Sequence, residues 1–209
     1  MKPPITVFLY VILMLHCYLI VSAQSHPDYY PLSKGSEWEL KGYGTTPNIT
    51  IRVVGTEKIN NKVYTKIEKK YTNEQSGQNV IIYVRCEGNR VYRFMPPYDE
   101  LLLFDFNIDI NQSWIRTISY DDGSMGKRTG RIIDRNMSVN VPAGEFDRCI
   151  VYDITETRKT DDSINSSTYT FWLAPDVGVV KMAVTISGNA ISPVDFWVND
   201  LSSYTVLSD

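Results

Sequence analysis

Histidine is nearly absent from this sequence, with two in 209 residues. His16 falls inside an apolar N-terminal stretch that reads as an export leader, which leaves His26 close to the start of the remaining chain. Chain ends are seldom held tightly. A Ser-His-Asp triad, a Cys-His pair and a His-rich zinc site each need a well-anchored imidazole. The sequence is therefore read as a non-enzyme, with no catalytic residue, no metal site and no cofactor.

Cysteine is scarce as well. Of three, Cys17 belongs to the leader, leaving Cys86 and Cys149. An oxidising compartment permits a disulfide between them. It would close a span of roughly 60 residues, worth about 4 kcal/mol if unstrained. The alternative is two free thiols packed as small hydrophobes.

Strong charge of one sign is also missing. The chain has 21 basic and 24 acidic residues, scattered along its length. This excludes nucleic acid as a partner, since that needs a basic patch. The densest basic run, Lys66 to Lys70, reads as a solvated strand face. Gly42 and Gly44 have no following helix to make a phosphate cradle. Asp121-Asp122-Gly123 is too short for a calcium loop and reads as a turn. No stretch after the leader shows a capped 3.6-residue apolar period, although Pro97 to Leu101 could make one helical turn.

What the sequence does contain begins with the leader. Lys2 precedes an apolar run from Val7 through Val21, and Ser22-Ala23 supplies small residues for cleavage between Ala23 and Gln24. The run is nearly long enough to span a membrane, so an uncleaved anchor is the alternative. Lipidation of Cys17 is disfavoured by His16 before it. The expected organisation is a cleavable signal over 1–23 and a single β domain over 24–209, secreted or periplasmic, with no transmembrane segment after cleavage.

The domain alternates with period two. Ile49, Ile51 and Val53 interleave with Thr50 and Arg52, and Val80, Ile82, Val84 and Cys86 with Ile81, Tyr83 and Arg85. Asn60-Asn61, Glu87-Gly88-Asn89 and Pro142-Ala143-Gly144 punctuate the strands. Several strands, among them Cys149 to Tyr152, are apolar on both faces. This predicts an all-β fold, a strongly curved antiparallel sheet of roughly 10–12 strands, half-barrel or barrel-like, with little helix. An echo is visible between Gly35-Ser36-Glu37-Trp38 and Asn111-Gln112-Ser113-Trp114, in which a residue tolerant of positive φ stands three before a tryptophan.

Aromatic residues make up 12% of the chain. Rings in exported β-proteins stack sugars or line lipid cavities, and they also fill cores. Trp38, Tyr92, Phe94, Trp114 and Trp172 are the candidate ligand-binding residues. Asp99, Glu100, Asp105 and Asp109 cluster in sequence, yet nothing in the spacing makes two of them face each other across a sugar. Asp105 reads as an edge-strand or loop carboxylate in water. Four glycosylation sequons, at Asn48, Asn111, Asn136 and Asn165, are read as chance occurrences.

Three stretches together resemble an uncharacterised family of exported bacterial β-proteins. They are Tyr29-Tyr30-Pro31-Leu32 with Gly35 and Trp38, Pro142-Ala143-Gly144 with Phe146, and Ala174-Pro175 with Val177, Gly178, Val180 and Lys181. Asn111 departs from the pattern, which has glycine before the second tryptophan. The resemblance implies a highly curved antiparallel sheet similar to the half-barrel of periplasmic lipoprotein carriers, and it implies no activity. The expected function is to bind a lipid or other amphipathic ligand. A structural envelope protein, partnered by another envelope protein, is the alternative, and a carboxylate-dependent glycan hydrolase is a third reading.

Overall fold

The computed structural model describes residues 28–73, 76–96, 100–120, 123–160, 164–188 and 191–207. The expected signal over 1–23, with the expected cleavage between Ala23 and Gln24, lies outside the described residues. Twelve strands follow one another: β1 (Glu37–Gly42), β2 (Asn48–Ile59), β3 (Lys62–Asn73), β4 (Ser76–Glu87), β5 (Arg90–Phe94), β6 (Glu100–Asp105), β7 (Ser113–Ser119), β8 (Met125–Val141), β9 (Gly144–Lys159), β10 (Ile164–Ala174), β11 (Gly178–Gly188) and β12 (Ile191–Thr205). No helix occurs among the described residues. Glu100 and Leu101 begin β6 instead of continuing a helical turn, because Leu101 is paired with Arg93.

Each neighbouring pair is antiparallel, and the order is β6-β5-β4-β3-β2-β1-β12-β11-β10-β9-β8-β7. The chain thus makes two six-strand meanders, joined where β1 pairs with β12. The sequence echo lands on the first strand of each meander. Gly35 and Asn111 both take positive φ, +92° and +72°. Each tryptophan is the second residue of its strand, and both are buried.

Local chemistry sets the turns. Asn60 and Asn61, at φ 48° and 64°, form the two-residue loop between Ile59 and Lys62. Asparagine tolerates that geometry, which matches the twist of a hairpin. Pairing shifts at Val53/Gly55, Val91/Tyr92 and along β8–β9 mark bulges. Bulges increase local twist and bend a sheet. The result is a nearly closed barrel with its opening between β6 and β7.

Period-two alternation then sends one face of each strand inward. Leu40, Val53, Val84, Ile132, Ile154 and Leu201 are among the buried core side chains. Phe104, at the end of β6, reaches across the interior to meet Tyr152 and Phe171 edge-on, at 5.1 and 5.2 Å between centroids. The inner face therefore packs strands that are distant in the sheet order.

An interior cavity with a cationic wall

The barrel is not filled. A cavity of about 580 Å³ is lined by Leu40, Ile49, Ile51, Ile82, Leu103 and Phe104, with Tyr71, Tyr169, Phe171, Met182 and Trp197 among the rest of its wall. Its size falls in the range of roughly 300–1,000 Å³ usual for small-molecule sites. A second recess of about 450 Å³ is lined by Asp28, Tyr29, Cys86, Phe106, Arg135 and Ile150. Tyr30 borders both. The segment carrying it is held by Asp28, whose backbone N–H donates to Asp176 Oδ1 at 3.0 Å while its carbonyl accepts from Asp176 N at 2.8 Å. Burial pushes the Tyr30 hydroxyl up to about 12, so it stays protonated.

Four charged side chains share the wall of the larger cavity: Lys69 from β3, Arg93 from β5, Arg128 from β8 and Glu156 from β9. They are placed there by alternation. Lys69 follows inward Ile67 and precedes inward Tyr71, and Arg93 follows inward Val91. Arg128 is 7% exposed and pairs with Glu156 through Nη1 at 2.8 Å. Its Nε has no hydrogen-bond partner among the described residues, and neither has the buried Nε of Arg93. Burial, followed by the charge of Arg93, lowers the Lys69 ammonium to about 8. Arg93 also presses on Arg128, whose pKa is lowered chiefly by burial. The solvated face expected for Lys66 to Lys70 is thus corrected at Lys69, which strand parity turns into the barrel.

Arg128 has a second exposure. It lines a recess of about 330 Å³ at the opening of the barrel, together with Glu100, Leu101 and Leu102 of β6 and Arg116, Thr117 and Ile118 of β7. The cationic wall therefore borders both the interior and the gap between the edge strands.

The five candidate aromatic residues lie elsewhere. Trp38 donates its indole N–H to the Val177 carbonyl at 2.6 Å and packs beside Pro31 and Gly178. Trp114 donates to the Tyr152 hydroxyl at 2.6 Å. Tyr92 and Phe94 face outward, Tyr92 under the Arg85 guanidinium at 4.5 Å and Phe94 against Tyr64 at 5.6 Å. Trp172 is half-buried, with Lys181 5.7 Å from its ring centroid. None of the five lines the 580 Å³ cavity.

The carboxylates are held by cations. Glu100 accepts from Lys62 at 2.6 Å, from the Tyr64 hydroxyl at 2.7 Å and from Arg85 Nη2 at 2.9 Å. These contacts, the Arg85 hydrogen bond foremost, hold its carboxyl near 2. Asp105 is 5% exposed and accepts from Arg90 Nε at 2.8 Å. It is a buried, paired group at the end of an edge strand, which corrects the reading of a carboxylate in water. Asp99 lies outside the described residues.

Both cysteines are free thiols. Cys86 is exposed beside Ile150 in the smaller recess, while Cys149 is buried. That arrangement replaces the disulfide alternative with two separate thiols. Burial pushes the Cys149 thiol up to about 11.

The fold has solved relatives. A candidate lipoprotein from Parabacteroides distasonis superposes with a TM-score of 0.56 and 17% identity, covering 87% of this chain and 100% of that one. A candidate exported protein with a YmcC-like fold from Bacteroides fragilis superposes with a TM-score of 0.55 and 12% identity, covering 86% and 100%. At these identities the likeness concerns the fold. No protein-family model and no curated protein matches the chain.

Proposed function

We propose that this chain is an exported, non-enzymatic binding protein whose curved sheet holds a lipid or other amphipathic ligand in its interior. The observation that carries the reading is the 580 Å³ cavity walled by leucine, isoleucine and aromatic side chains. An unfilled apolar interior costs packing energy that a structural protein would avoid. The leader read over 1–23, the scarcity of histidine in the sequence and the likeness to exported bacterial folds support export without catalysis. Glu156, the carboxylate on the cavity wall, is engaged by Arg128 and has no second carboxylate among the described lining residues. A two-carboxylate hydrolase has no support from that arrangement.

Native mass spectrometry of protein purified from its own host tests the reading. A bound species of lipid mass that leaves on activation is the expected result. Repeated recovery of the bare chain from gentle preparations would favour the structural envelope role instead.

A further inference from the structure

The ligand's apolar part is suggested by the cavity wall, and its polar part is written in the wall's charges. Three cations face the interior against one described carboxylate. Glu156 is committed to Arg128. Lys69 and Arg93 have no hydrogen bond or ion pair to any described carboxylate, and they share one cavity wall, where the charge of Arg93 acts on Lys69. Like charges with no carboxylate partner among the described residues are costly in an apolar wall, and the cost is relieved by an anion set among them. Arg128, more than nine-tenths buried, still offers an unused Nε–H, and the buried Arg93 Nε–H is unused too. Unsatisfied buried donors of this kind mark the place of an absent acceptor.

Resting on the lipid-binding reading above, we propose that the cavity selects a single-chain amphiphile with an anionic oxygen headgroup, a carboxylate or a phosphate ester. The headgroup sits between Lys69, Arg93 and Arg128, and the alkyl chain lies along Leu40, Ile49, Ile51 and Phe171. Guanidinium groups suit such a headgroup because their N–H forks match the spacing of carboxylate and phosphate oxygens. The volume suits one alkyl chain better than two. Because Arg128 also borders the gap between β6 and β7, the headgroup can meet its first cation at the opening before the chain is buried.

The test uses the chain lacking residues 1–23, stripped of lipid, and four probes measured by calorimetry below micelle formation: dodecanoate, dodecyl phosphate, dodecanol and inorganic phosphate. One or both anionic amphiphiles should bind at least about tenfold tighter than dodecanol, with the preference shrinking as salt rises. Whichever of the two binds tighter identifies the headgroup. Lys69→Met and Arg93→Met should each erase most of that preference while leaving dodecanol affinity within about twofold. Both variants should melt no lower than the parent, since each removes a charge that has no carboxylate partner among the described residues, so lost binding cannot be ascribed to unfolding. Equal binding of dodecanol and dodecanoate overturns the headgroup site and leaves the lipid cavity standing. Binding of inorganic phosphate with no gain from an alkyl chain overturns both the amphiphile and the lipid reading.

Discussion

The indole N–H of Trp114 donates to the Tyr152 hydroxyl at 2.6 Å, and the same oxygen accepts the backbone N–H of Asp105 at 3.1 Å. Trp114 stands on β7 and Asp105 on β6, the two free ends of the sheet. One buried phenol on β9 thus ties together strands that never pair. Tyr152→Phe would keep the ring packing and strand two buried donors. Each orphaned donor costs about 1–3 kcal/mol, so a loss of roughly 2–6 kcal/mol is expected in urea unfolding. The gap between β6 and β7 should also widen, seen as faster amide exchange in both strands. A loss under about 0.5 kcal/mol would show that the barrel's closure does not depend on this phenol.

Gly130 is the companion of that contact. A Cβ built on it would lie 2.3 Å from the Trp114 ring. Gly130→Ala should therefore displace Trp114, cost about 1–3 kcal/mol and alter near-ultraviolet dichroism. Gly88 offers the contrast. Its φ is 56° with nothing near a new Cβ, so Gly88→Ala pays only backbone strain, about 1–2 kcal/mol, with the tryptophan signal unchanged. Identical spectra for the two variants would contradict the packing argument.

Strand alternation made the architecture readable in advance, because a buried face repeats every second residue whatever the final curvature. The hairpins at Asn60-Asn61 and Glu87–Asn89 and the positive φ at Gly35 and Asn111 were equally legible, since few residues adopt those turns. The candidate site was harder to see. Trp38 and Trp114 signal burial, but their N–H groups are spent on Val177 and Tyr152, which makes them structural ties. By charge alone Lys69 belongs to the solvated run from Lys66 to Lys70. Its parity with buried Ile67, two residues before it, places it inside, and parity with buried Val91 does the same for Arg93. Arg128 offered no such cue, since Gly126 and Gly130, which share its face, mark a strand without showing which face is inward.

Glu100 anchors the outer surface where β3, β4, β5 and β6 meet. Its folded pKa is about 2 against an ordinary 4.5. As pH falls below 4.5 the unfolded chain takes up the proton first, which favours unfolding, and the whole contribution is gone near pH 2. Because the Glu100 side chain is 14% exposed and Lys62 half-exposed, the contribution is about 1–3 kcal/mol. Glu100→Gln should lower stability at neutral pH by that amount. It should also flatten the difference between pH 4.5 and 2, measured by urea unfolding across the range. Parallel curves for the parent and the variant would remove Glu100 from the acid response.

Lys69 makes the opposite prediction at the alkaline end. Its neighbours on the cavity wall are Arg93, Arg128 paired with Glu156, and the phenols of Tyr30, Tyr71 and Tyr169. Burial and Arg93 lower its pKa from 10.5 to about 8. Between those values the folded chain has released a proton that the unfolded chain still holds, so stability rises with pH across that window. Below about pH 8 the charged ammonium costs the fold on the order of 1–3 kcal/mol. Lys69→Met should therefore be more stable than the parent at pH 7, with the gap closing towards pH 10.5. Saturating dodecanoate should cancel the effect in the parent, because a bound carboxylate restores the Lys69 proton and returns its pKa towards 10.5. Thermal melts of both proteins from pH 7 to 10.5, with and without dodecanoate, decide the matter. A parent whose difference from Lys69→Met is independent of pH would mean that Lys69 reaches water and that the cavity's charge is already neutralised.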